Sequence, residues 1–151
     1  ITNQQRAFLN SNFQKMMPRF ISLNFALTFL LIALSAVLIF HMLILTQIIP
    51  YEIVWGGRLK SVEEMRKFEV ISIITNLCML LIVGIRAGKI PFHGSPKYIR
   101  FIIGAMGFLF LLNTLGNLFA QNNFERYFFS PITLILSLCC FRIAFEKSVD
   151  K

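Results

Sequence analysis

Four long apolar runs alternate with short charged segments, and this alternation sets the expected architecture. A helix needs about 20 apolar residues to cross a bilayer core. The pattern predicts spans over 20–49, 62–87, 96–120 and 131–146, with a connecting loop over 50–60. The fold class it implies is an all-α integral membrane protein: a four-helix transmembrane bundle in one domain, with a short N-terminal interfacial helix over 1–18. That first helix is read from Leu9, Phe13, Met16 and Phe20 at helical spacing, with Arg6, Asn10, Gln14 and Lys15 between them. Pro18 should interrupt it before the first span.

Local signals fix the expected helix ends. Pro50 closes the first run, whose thirty residues would extend roughly 45 Å against a core of roughly 30 Å. Such a helix must tilt or protrude. Ser61-Val62-Glu63-Glu64 has capping-box form, which starts the second helix at Val62. Gly88 and Pro91 are its stop signal. Ser95-Pro96 and Ser130-Pro131 each read as a Ser N-cap followed by Pro in the first turn. Gly104, Gly107 and Gly116 on the third helix permit close helix approach.

Composition strengthens the membrane reading. Of 151 residues 56% are hydrophobic, 17 are Phe, and the mean hydropathy is +0.70. A soluble domain is nearer 45–50% apolar. The net charge of +8 does not point to nucleic acid, because the cations lie beside apolar runs and form no basic stripe with interleaved aromatics. The first run is too long for a signal-peptide core and is followed by no small-residue cleavage site.

Charge also orients the chain. Arg6, Lys15, Arg19, Arg86, Lys89, Lys97, Arg100, Arg142, Lys147 and Lys151 fall on one side of the expected topology, and five cations fall on the other. The positive-inside rule places both termini in the cytoplasm, and the expected location is a bacterial inner membrane.

The candidate chemistry gathers around Pro50–Glu69, which carries four of the seven acids, the single Trp and the Gly56-Gly57 pair. Chain direction puts His41, Glu69, Asn76, Asn113 and Asn117 toward the outer ends of their helices. Polar groups in hydrocarbon are costly unless paired, so these side chains should meet one another. Glu69 and Asn76 share a face of helix 2, Asn113 and Asn117 share one of helix 3, and the two faces are expected to converge. Two readings follow. One is interhelical hydrogen bonding that holds the bundle. The other is a polar outer-leaflet pocket for a small molecule or lipid headgroup, formed by His41, Glu52, Trp55, Arg58, Glu69, Asn76, Asn113 and Asn117.

Each candidate has a plainer role beside the sharper one. Tyr51 and Trp55 suit interfacial aromatics. Gly56-Gly57-Arg58 offers backbone N–H groups and a guanidinium to an anion such as a lipid phosphate. Glu125-Arg126 is placed to pair with Arg58 or Glu52 and tie the two outer loops. His41 with Glu69 or Glu52 would give a membrane enzyme an acid/base pair. Ligands drawn from separate elements do not make a metal signature, so no metal is expected. Cys78, Cys139 and Cys140 form no CxxC, and P-loop, dinucleotide, HExxH and GxSxG patterns do not occur, so no cofactor is implied. The expected partners are the lipid bilayer and a small molecule or headgroup. A homo-oligomer or a subunit of a larger membrane complex is the structural alternative.

Overall fold

The computed structural model describes Gln5 and residues 21–121 and 123–146. The expected interfacial helix over 1–18 lies outside the described residues, apart from Gln5. The protein is all-helical, with 79% helix and no strand among the described residues. Helix α1 spans Leu23–Leu45, α2 Val62–Arg86, α3 Pro96–Leu118 and α4 Ser130–Ala144. Each of the four, α4 together with the turn that precedes it, is long and apolar enough to cross a membrane. Between 22% and 39% of the most apolar stretch of each is buried inside the protein. Large apolar side chains such as Ile32, Ile71, Phe101 and Phe119 therefore face outward, as a lipid solvent requires and water would not. The chain is built as a multi-pass membrane protein.

The caps form where Ser precedes an apolar run. Ser22 Oγ accepts from Phe25 N at 3.1 Å, and Ser61 Oγ accepts from Glu64 N at 3.1 Å. Glu64 Oε2 reaches back to Lys60 N at 2.9 Å, one residue before the N-cap. The two Ser contacts satisfy amide groups that the helix itself leaves unpaired, and the Glu64 contact ties the preceding residue to the first turn. Pro96 occupies the first turn of α3 behind Ser95.

Helix α1 is shorter than the run that encodes it. Its end is a Schellman turn, with Ile48 N donating to Leu43 O at 3.0 Å and Gln47 N to Ile44 O at 2.8 Å. Gln47 takes the left-handed position with φ 61°. At 23 residues α1 extends roughly 35 Å, close to one bilayer core. Helix α2 ends in the same way, with Lys89 N on Gly84 O and Gly88 at φ 70°.

The start of α4 departs from the Ser-Pro reading. Ser130 is itself helical, at φ −58° and ψ −50°, and a π-helical turn over Glu125–Phe129 leads into it. Pro131 has no N–H for an i→i−4 bond and would crowd the carbonyl four residues back. A wider turn relieves both problems and lets the helix begin earlier.

Helix α3 lies closest to α4 and α1 closest to α2, while α1 with α4 and α2 with α3 complete the packing. Gly107 is the tightest glycine contact between helices. A Cβ there would stand 3.1 Å from Cys140 Cβ and from the Phe141 ring, and its carbonyl accepts from Ser137 Oγ at 2.8 Å. The main core joins all four helices through residues such as Leu30, Leu34, Val83, Ile103, Leu136 and Cys140. A smaller core of Ile44, Val54 and Met65 seats the 46–61 segment on the ends of α1 and α2. This is called the Trp55 end below, and the opposite end the Lys97 end.

Candidate functional site

At the Trp55 end two short connections fold inward. Tyr51–Ile53 and Trp55–Gly57 form single 3-10 turns, with Val54 buried between them. Trp55, Gly56 and Gly57 all have positive φ, at 57°, 72° and 72°. A non-Gly residue in that region costs on the order of 1–3 kcal/mol, so something must hold Trp55 there. Its ring packs on Phe68 at 4.8 Å between centroids, and its Nε1 donates to Glu69 Oε1 at 2.9 Å.

Glu69 is the centre of the site. It is 0% exposed, and both carboxyl oxygens are engaged. Trp55 holds Oε1, and His41 Nδ1 lies 2.7 Å from Oε2. The His41 side chain keeps 19% of its surface accessible. The residues that meet here come from the last turns of α1, the loop, and the second turn of α2. A buried carboxyl group is costly unless hydrogen-bonded, and Trp55 and His41, on separate elements, supply a partner for each oxygen.

A second carboxylate ties the loops together. Glu125 Oε2 accepts from Gly56 N at 2.6 Å, and Gln121 N donates to Gly56 O at 3.3 Å. The anion that Gly56 was expected to bind is thus supplied by the chain itself. Arg126 Nη2 donates to Ala120 O at 2.9 Å, fixing the turn that presents Glu125. The two loops of the Trp55 end are joined through the Gly56 backbone rather than through Arg58 or Glu52. Arg58 is exposed and folds back over Gly56, where an added Cβ would lie 3.3 Å from its Nε. Glu52 is exposed.

The amides do not gather as their spacing suggests. Asn76 is buried at 5% exposure, two turns below Glu69, and its Oδ1 makes no hydrogen bond among the described residues. Asn117 Nδ2 donates to Thr133 Oγ1 at 3.5 Å, on α4. Asn113 is exposed. The expected convergence of helices 2 and 3 is replaced by two pairings. Glu69 turns toward α1 and the loop, and Asn117 toward α4, because α2 packs closely on α1 and α3 on α4.

Three site residues take partners that the sequence does not mark. Thr114 Oγ1 donates to Thr133 Oγ1 at 2.9 Å in a buried contact beside Asn117. A lone Thr within an apolar run carries no mark of its partner, at Thr114 or at Thr133. Glu125 was assigned a side-chain partner, and nothing in the sequence marks a backbone amide as its target. No protein-family model, no curated protein and no solved structure matches the chain.

Proposed function

We propose that this chain is a four-helix transmembrane bundle of a bacterial inner membrane, with both termini cytoplasmic. In this reading it is a binding or accessory protein that holds a small molecule or lipid headgroup at its outer-leaflet end. One observation carries the proposal: a fully buried Glu69 gripped by His41 and Trp55. Holding it takes a backbone strained at Trp55 and a loop clamped by Glu125. A bundle that needed only stability would be served as well by apolar packing there. The neighbouring Asn76 Oδ1 adds an unmet buried acceptor on the same face of α2. With both Glu69 oxygens engaged, Asn76 Oδ1 is the acceptor of this set left open among the described residues, so the ligand chemistry that fits is a donor, a hydroxyl or an ammonium group.

Native mass spectrometry of the gently extracted full chain tests the reading. The wild type should carry an adduct that His41→Ala and Asn76→Leu lose, with helix content by circular dichroism unchanged. A wild type without an adduct, or the same adduct in all three proteins, overturns it.

The His41–Glu69 contact supports a second reading, a membrane enzyme. A carboxylate on Nδ1 orients the imidazole and leaves Nε2 for proton transfer, as in general acid/base catalysis. Glu69 is then the partner of His41, and Glu52 is not. An adduct that changes mass on incubation with wild-type protein, but not with His41→Ala, would favour this reading over simple binding.

A further inference from the structure

At the Lys97 end, far from His41, a groove of about 620 Å³ runs between α3 and α4. That volume lies within the range of small-molecule sites. Phe101, Ala105, Phe141 and Phe145 line its apolar part, and Gly104 and Ala144 keep its floor low. Lys97 and Arg100 stand at its mouth. Arg100 Nε donates to Ala144 O at 3.0 Å, which anchors the guanidinium across the end of α4. Among the described residues, neither Lys97 nor Arg100 has an acid within salt-bridge distance. The sequence linking α2 to α3 is as one-sided. Arg86, Lys89, Lys97 and Arg100 cluster around this end, and no Asp or Glu occurs between Glu69 and Glu125.

We infer that this groove is a binding site for an anionic phospholipid of the bilayer. Its phosphate lies with Lys97 and Arg100, and one acyl chain lies along Phe101, Ala105 and Phe141. The argument is charge complementarity joined to shape. Two cations with no acid in salt-bridge distance among the described residues sit where a helix leaves the hydrocarbon, beside an apolar channel of small and aromatic residues. Basic pockets between spans are the expected receptors for anionic headgroups. The channel faces the lipid side of the helices, so a bilayer lipid enters it laterally. This site is independent of the Glu69 centre and of the reading given to it.

The full chain, purified in a mild detergent, would be titrated with phosphatidylglycerol and with phosphatidylcholine and followed by native mass spectrometry. Phosphatidylglycerol should bind tighter than phosphatidylcholine. Lys97→Gln should weaken phosphatidylglycerol about fivefold, the effect of about 1 kcal/mol for one cation near an anionic surface, and leave phosphatidylcholine unchanged. Ala105→Phe, at an exposed position that disturbs no core contact, should fill the channel and weaken both lipids. Lys89→Gln, an exposed cation at the same end but outside the groove, should weaken phosphatidylglycerol much less than Lys97→Gln. Equal binding of the two lipids by the wild type overturns the inference. So does an equal loss from Lys89→Gln, which would mean diffuse charge attraction and no site. If Ala105→Phe instead splits a dimer, the groove is a contact between copies and the lipid assignment fails.

Discussion

Glu69 shows what a single residue commits this fold to. With both oxygens held and no exposed surface, each donor removed leaves a buried acceptor unmet. Trp55→Phe keeps an aromatic ring beside Phe68 and removes the indole N–H together with part of the bicyclic ring. The expected loss is about 1–3 kcal/mol, the cost of an unsatisfied buried polar group. Combining Trp55→Phe with Glu69→Leu should cost less than the sum of the two single changes, because both remove the Trp55–Glu69 bond. Thermal unfolding in detergent, arranged as a double-mutant cycle, measures this, and simple additivity would mean the 2.9 Å contact contributes nothing. The identities of His41, Trp55 and Glu69 were legible as candidates, since a His, a Trp and a Glu beside apolar runs call for partners. Their grouping was less legible. Spacing gives each side chain a face on its own helix, but not which neighbour that face meets. The same gap explains why Asn113, grouped with Glu69 from its depth, is exposed.

At the scale of elements, two Ser residues that look alike in sequence behave in opposite ways. Ser61 is a working N-cap, its Oγ accepting from Glu64 N. Ser61→Ala should cost about 0.5–2 kcal/mol, and Ser61→Asp should be close to neutral. Ser130, also followed within a residue by a helix-compatible start, is buried inside a helix already under way, and its Oγ has no partner among the described residues. Ser130→Ala removes an unmet polar atom and should leave stability unchanged or raise it. Melting temperatures of the two Ala variants should therefore move apart, and a parallel fall would show that Ser130 caps α4 after all. The cap at Ser61 was legible because a capping box is local, with donor and acceptor three residues apart. The π-helical entry to α4 was not, since it answers a clash between Pro131 and the preceding turn. The early end of α1 escaped for a related reason. Its left-handed residue is Gln47, where the recognisable signal is Gly, as at Gly88 on α2.

For the whole molecule, the open matter is which end faces which side of the membrane. Alternation of apolar runs and charges made four spanning helices legible, because lipid demands an apolar exterior and the sequence supplies one over helix-sized lengths. Helix directions then follow from the chain, so the Trp55 end and the Lys97 end lie on opposite sides. Counted along the sequence, ten cations are expected on the side of the Lys97 end and five on the side of the Trp55 end. The rule acts through short loops close to the spans, and residues 87–95 form such a loop. The Lys97 end should therefore be cytoplasmic. Single Cys substitutions at Lys60 and His93 test this, in a background with Cys78, Cys139 and Cys140 changed to Ala. Both positions are exposed and neither has a positive φ, so a thiol fits at each without strain. A membrane-impermeant maleimide applied to intact spheroplasts should label Lys60→Cys and spare His93→Cys until the membrane is opened. The reverse pattern would put Glu69 and its partners on the cytoplasmic side. The outer-leaflet binding reading would fall with it, while the lipid groove at the Lys97 end would stand, in the other leaflet.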